Sequence, residues 1–144
     1  MRIFFRSMLS KRCKYALKAM IFLAEYYEKG QVSISIIAEK ENIPKKFLEQ
    51  ILLELKRSKL VNSKQGPLGG YYLLKKPSEI SLADLYRIFD GPIALTPCVS
   101  INYYEKCDDC LDEGNCYLRE ELIKVRDKTR LSMMEATLES FLRR

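Results

Sequence analysis

From Lys11 to about Glu28 apolar residues recur at helical spacing, with Tyr15, Ala19, Leu23 and Tyr27 on one stripe and Ala16, Met20 and Ala24 beside it. Gly30 closes that segment. Ser33 is placed to cap a short second helix around Ile36, Ile37 and Ala38. The chain then turns through Glu41-Asn42-Ile43-Pro44, where Asn42 tolerates positive φ and Pro44 suits a helix start. A third helix is predicted from about Lys45 to Ser58. Leu48, Ile51, Leu52 and Leu55 form its buried stripe, and Lys45, Lys46, Glu49, Gln50, Lys56 and Arg57 lie around the rest. Two short β-prone runs follow, Leu60-Val61 and Tyr71-Tyr72-Leu73-Leu74. The Lys64-Gln65-Gly66-Pro67-Leu68-Gly69-Gly70 turn between them reads as a hairpin.

Past Pro77 the pattern changes. Ser81 with Asp84 three residues on makes a capping-box variant, opening a helix with Leu82, Leu85, Ile88 and Phe89 on its buried side and Gly91-Pro92 as its stop. Residues 91–116 hold turn formers, acids and cysteines with almost no periodicity, and a long loop of this kind in a small domain usually carries function. A helix resumes from Tyr117 to about Leu142, through Leu118, Leu122, Val125, Thr129, Met133 and Leu138. At ~25 residues it would be roughly 38 Å long. That is more than a domain of this size covers alone, so part of it is expected to pack on a second subunit.

The expected fold class is therefore mainly α with a small β-hairpin. Three helices and a hairpin are the element order of a winged helix-turn-helix, in which the third helix enters the major groove and the wing reaches an adjacent groove or the backbone. Residues 1–76 are assigned to that DNA-binding domain. Residues 77–144 are assigned to an effector and dimerisation region, with the cysteine loop at 91–116 and the long helix at 117–142. Residues 1–7 fall outside the pattern, as a flexible arm or as residues ahead of a start at Met8.

The 144 residues, 47% apolar and 31% charged, suit one globular domain or a small domain with an appended arm. No apolar run reaches the ~18 residues of a membrane helix, and the apolar stretch at Ile3-Phe4-Phe5 is too short for a signal peptide. A soluble cytoplasmic protein without membrane contact is expected. There is no histidine, which removes Ser–His and Cys–His catalysis and mixed Cys/His zinc sites together, and no enzyme is expected. The net charge of +6 is uneven: residues 1–76 hold 16 Lys/Arg against 6 Asp/Glu, whereas residues 77–144 hold 9 against 13. A basic first half on an acidic second half points to a polyanion binder with a separate controlling part.

The cysteines are uneven as well. Cys13 stands alone, while Cys98, Cys107, Cys110 and Cys116 follow the spacing Cys-x8-Cys-x2-Cys-x5-Cys. Four thiolates can complete the shell of a 2Fe–2S or 4Fe–4S cluster or bind one tetrahedral zinc. A metal-free thiol sensor is the reading next after iron–sulfur, ahead of zinc, and a cytoplasmic setting argues against stable disulfides. Glu105, Asp108, Asp109, Asp112 and Glu113 crowd the same loop, so a cluster there would have its potential lowered and its oxidised form favoured.

The segments from Ser10-Lys11 through Tyr15-Ala16-Leu17, Phe47-Leu48-Glu49-Gln50 and Gly66-Pro67-Leu68-Gly69-Gly70-Tyr71, with the cysteine loop ahead of a long helix, carry a resemblance that spans about Met8 to Phe141. The chain resembles the winged-helix bacterial transcription regulators that include IscR, NsrR and CymR, the iron–sulfur cluster regulator type. The resemblance implies a homodimer on near-palindromic double-stranded DNA, sensing redox state, nitric oxide or iron–sulfur status. It places Glu49 and Gln50 against base edges, where Gln pairs with adenine and a carboxylate accepts from cytosine. Lys11, Arg12, Lys14, Lys45 and Lys46 become phosphate contacts, and Lys64, Gln65 and Gly66 the wing contact. Relatives often carry Arg before the wing Gly-Pro, where this chain has Gln65. They also often ligate with three cysteines and a further residue. Arg119 stands where the IscR type has histidine and cannot ligate, which leaves Cys98 or one of Asp108, Asp109 and Asp112 as the fourth ligand. The alternatives are a regulator of the same fold controlled by thiols or by a protein partner, and, in another class, a small iron–sulfur electron carrier.

Overall fold

Ser10 opens the first helix, its hydroxyl accepting the Cys13 N–H at 3.0 Å. In the structure, a computed structural model that describes residues 8–142, α1 spans Lys11–Glu25. The proposed arm at residues 1–7 lies outside the described residues. The helix stops three residues short of the predicted Glu28, because Glu28 and Gly30 take φ of 62° and 119°. Ser33 caps α2 (Ile34–Glu41), and Asn42 ends it in the left-handed region at φ 52°. Then comes α3 (Lys45–Arg57), whose predicted stripe of Leu48, Ile51, Leu52 and Leu55 is fully buried.

The hairpin pairs β1 (Val61–Lys64) with β2 (Gly70–Leu73) antiparallel, in a register that sets Val61 opposite Leu73 and Lys64 opposite Gly70. Tyr71 also exchanges both backbone hydrogen bonds with Val32, at 2.9 and 2.8 Å. The segment ahead of α2 thus forms a third rung, and a Cβ on Gly70 would run into the Val32 carbonyl.

Beyond the wing, α4 (Leu82–Phe89) starts with the full reciprocal box: Ser81 N–H donates to Asp84 Oδ2 at 2.8 Å, and Asp84 N–H to Ser81 Oγ at 3.3 Å. Residues 91–116 are loop apart from a 3-10 turn at Pro97–Val99. The single helix expected over 117–142 is two helices, α5 (Tyr117–Glu135) and α6 (Leu138–Leu142). No glycine or proline breaks it. At the joint the Ala136 carbonyl accepts the Leu82 N–H at 2.8 Å, and the Leu138 N–H donates to the Ile80 carbonyl at 2.9 Å. These tertiary bonds replace the next helical turn and deliver Leu138, 1% exposed, into the core.

That core surrounds α1. Ala16, Ala19, Met20 and Leu23 meet Ile37, Ile51, Leu52, Leu55 and Val61 from the first half and Ile80, Leu85 and Leu138 from the second. In contrast, α5 contributes no buried residue and leans chiefly on α4 and the 97–99 turn. Among the described residues no helix is long and apolar enough to cross a membrane.

Candidate nucleic-acid interface and cysteine site

The buried stripe of α3 turns its other face outward, exposing Lys45, Lys46, Glu49 and Gln50 together. Next to it, the Tyr15 ring stands edge-on to Phe47 with centroids 5.6 Å apart, and Lys11 Nζ lies 5.7 Å from the Tyr15 centroid. This aromatic pair brings Lys11 to the start of α3. Lys14 is exposed on α1. Arg12 departs from the group, its guanidinium lying 5.5 Å over Phe89 of α4. On the wing, Lys64 lies 5.8 Å from the Tyr72 ring, and Gln65 and Gly66 are exposed at the tip, Gly66 at φ 105°.

Two cross-links hold the arrangement, and the sequence did not announce either. Gln31 Nε2 donates to the Leu68 carbonyl in the wing turn at 2.6 Å, and Lys56 Nζ donates to Ser63 Oγ at 2.8 Å, tying α3 to β1. Gln31 bonds a backbone carbonyl 37 residues away, an acceptor every residue type possesses, so no motif could mark it.

The cysteine loop is organised around Cys98, buried beside the Thr96 hydroxyl at 3.3 Å. Cys107 lies near Cys98; the interaction with that thiol first, then burial and the charges of Cys98 and Asp109, pushes its own thiol up to about 11. Burial, Cys116 and Glu113 raise Cys110 as well, with Cys98 within electrostatic reach. Cys116 is the N-cap of α5, its sulfur accepting the Arg119 N–H at 3.4 Å. All four sulfurs thus share one neighbourhood at the start of α5. Among the described residues, no three Cys, Asp or Glu side chains converge closely enough to hold a metal ion as they stand. The donor chemistry suits iron–sulfur, with four sulfurs on a loop that is largely free of regular structure. Cys13 is separate, buried under α4, where burial, then the charge of Asp90 and its hydrogen bond, push the thiol up to about 12.

The acids of this loop are partly committed. Tyr104 donates its hydroxyl to Glu113 at 2.8 and 2.7 Å, Glu113 pairs with Arg119 at 3.4 Å, and Asp112 accepts from Gly114 N–H and Asn115. Asp109 and Glu113 remain close enough to oppose negative charge on Cys107 and Cys110. Two arginines of α5 reach back to the turn that carries Cys98: Arg119 Nε to the Cys98 carbonyl at 3.3 Å, and Arg126 Nη1 to the Val99 carbonyl at 2.8 Å. Arg119, unable to ligate, is therefore a strut between the sulfur loop and α5.

Comparison with known proteins gives this architecture its context. The chain matches the Rrf2 family, described as iron-dependent transcriptional regulators, over residues 9–144. It is 43% identical over 121 residues to an rrf2-like HTH-type transcriptional regulator of Rhodobacter capsulatus, covering 82% of this chain and 81% of that protein. To the HTH-type transcriptional regulator CymR of Bacillus subtilis it is 30% identical over 131 residues, 91% and 86% of the two chains. The solved structure of that protein, the global cysteine regulator of B. subtilis, superposes with a TM-score of 0.75 over 98% of this chain and 95% of that one. The HTH-type transcriptional regulator IscR of Photorhabdus laumondii is 34% identical over 103 residues, 72% and 63% of the two. The wing, the exposed face of α3 and these relatives agree: the chain belongs to the Rrf2 family and is a DNA-binding winged helix-turn-helix regulator of transcription, not an enzyme.

Proposed function

We propose that this regulator acts as a homodimer on a near-palindromic operator, and that a cluster held by Cys98, Cys107, Cys110 and Cys116 sets its affinity. The observation that carries this reading is the gathering of four sulfurs at the N-terminus of α5, on a turn that Arg119 and Arg126 tie to that helix. When bound, an iron–sulfur cluster supplies a centre sensitive to oxidants and nitric oxide. The chain's own residues do the rest. Cys98 would hold the cluster from the 97–99 turn, and Arg119 and Arg126 couple that turn to α5 through the Cys98 and Val99 carbonyls.

The dimer reading is supported by α5 itself. It buries no side chain fully, leaves Leu118, Val125, Leu131 and Met134 exposed, and borders an apolar groove of about 300 Å³ with Val125, Thr129 and Met133. Pairing of two such helices would set the spacing of two half-sites. In this reading Glu49 and Gln50 meet base edges, Lys11, Lys14, Lys45 and Lys46 meet phosphates, and Lys64, Gln65 and Gly66 form the wing contact; Arg12, over Phe89, acts from the side.

The test is the full chain purified without oxygen. Iron and sulfide should be present in matching amounts, Cys107→Ala, Cys110→Ala and Cys116→Ala should be colourless, and Cys98→Ala should lose the cluster or hold a more labile one. Cys13→Ala should leave iron content and colour unchanged. Cluster removal should alter affinity for a selected operator by the ~1–3 kcal/mol typical of coupled sites. The nearness of Cys98 and Cys107 favours a second reading, control by thiol oxidation. Full iron content in the cysteine variants, with operator binding that still follows oxidation of wild-type protein, would put that reading in place of the first.

A further inference from the structure

The outward face of α3 carries a residue that charge does not explain. At ~100° per residue, Lys46, Gln50, Leu53 and Arg57 fall on one stripe, opposite the buried Leu48, Ile51, Leu52 and Leu55. Leu53 is 41% exposed in the middle of that stripe. It neither completes the core nor neutralises a phosphate, and an apolar side chain flanked by Lys46, Gln50 and Arg57 has one apolar feature of B-DNA available to it. Thymine alone among the four bases presents a methyl group in the major groove. One turn earlier Phe47, 38% exposed, stands on the other side of Gln50, its ring held against Tyr15. Gln50 therefore sits between two apolar side chains at i−3 and i+3. Three residues of helix advance ~4.5 Å, of the order of the ~3.4 Å step between base pairs.

We infer that Leu53 is a specificity residue that reads the 5-methyl group of a thymine next to the base pair met by Gln50. The inference rests on α3 being the recognition helix. Water released from the leucine and the methyl group supplies the preference, of the order of one buried methylene, so affinity changes ~4-fold per contacted methyl. Salt dependence is untouched because no counterion is involved. Gln50 itself suits adenine, and the two side chains together select an A·T step.

The experiment uses the full-length protein and a duplex recovered by selection from random DNA. Each thymine is replaced in turn by deoxyuridine, which removes the methyl group and nothing else. Wild-type protein should lose ~4-fold at one position in each half-site. Leu53→Ala should bind the thymine duplex ~4-fold more weakly and no longer distinguish thymine from deoxyuridine there, with its salt slope and unfolding midpoint unchanged. Leu53→Met, still apolar, should keep the discrimination. Indifference of the wild-type protein to deoxyuridine everywhere, or the same deoxyuridine penalty in Leu53→Ala, overturns the inference. If Gln50→Ala still shifts base preference in that case, the recognition-helix reading survives; if it does not, that reading falls too.

Discussion

α3 and α5 are both amphipathic in sequence, and the fold treats them oppositely. The 13-residue α3 hides four aliphatic side chains completely, while the 19-residue α5 hides none. One helix is held rigidly by its own chain, with its outer face left to solvent. The other leaves apolar surface uncovered, which the proposed dimer would bury, and takes its position from α4, the 97–99 turn and two arginines. Amphipathicity alone does not say which kind a helix is, because what matters is whether the rest of the chain is long enough to cover it.

The strongest way to break this contrast is to cut the same kind of group from each helix. Leu52→Ala should cost ~2–5 kcal/mol in urea unfolding, as truncations of tightly packed aliphatic residues do. Leu131→Ala on exposed α5 should stay within ~0.5 kcal/mol yet weaken self-association in sedimentation. Equal stability losses would sink the contrast. Next in size is Gly70→Ala, whose Cβ meets the Val32 carbonyl; forcing that backbone apart should cost ~1–3 kcal/mol and lower operator affinity through the wing while leaving α5 pairing intact.

A smaller effect, about 1 kcal/mol, is expected for Arg126→Ala, which strips the Val99 carbonyl of its donor. Faster amide exchange confined to residues 97–99 and the start of α5 would show it, and unchanged exchange would mean the strut carries no load. At neutral pH the smallest effect belongs to Cys13. Its folded thiol is raised from 9.0 to about 12, so the neutral form is favoured by folding; that stability is complete below about pH 9 and drains away as pH rises toward 12. Cys13→Ala should therefore show a shallower alkaline loss of stability than wild type, and an identical slope would place the alkaline limb elsewhere.

The parts legible in the sequence were those fixed by neighbours in the chain: the α3 stripe, the Ser33 and Ser81 caps, the left-handed Asn42, the hairpin. The joint at Ala136–Thr137 was not legible. Its local pattern continues the helix, and only the backbone of Ile80–Leu82, more than fifty residues earlier, ends it. Gln31 and the α5 arginines were missed for a related reason, since each bonds a main-chain carbonyl and carbonyls leave no mark in a sequence. The cysteine spacing was readable as four possible sulfur ligands, but their pairing, Cys98 beside Cys107, depends on how the loop folds. The exposure of Leu53 is legible in the same helical pattern, because it lies opposite the buried stripe of α3.

The return of the chain through Thr137 to α1 has an architectural consequence. Residues 91–116 leave from α4 and re-enter at α5, whose far end is pinned to the Ser81 backbone by the Thr137 bridge and by α6. Both stumps of the loop are therefore moored to the same core, whatever lies between them. Doubling the length of such a loop adds only ~0.6 kcal/mol of closure entropy, and its buried side chains are confined to Cys98, Val99 and Ser100. The loop is an exchangeable cartridge in a fixed socket, so its chemistry is free to change without altering the packing that holds α3 and the wing in place.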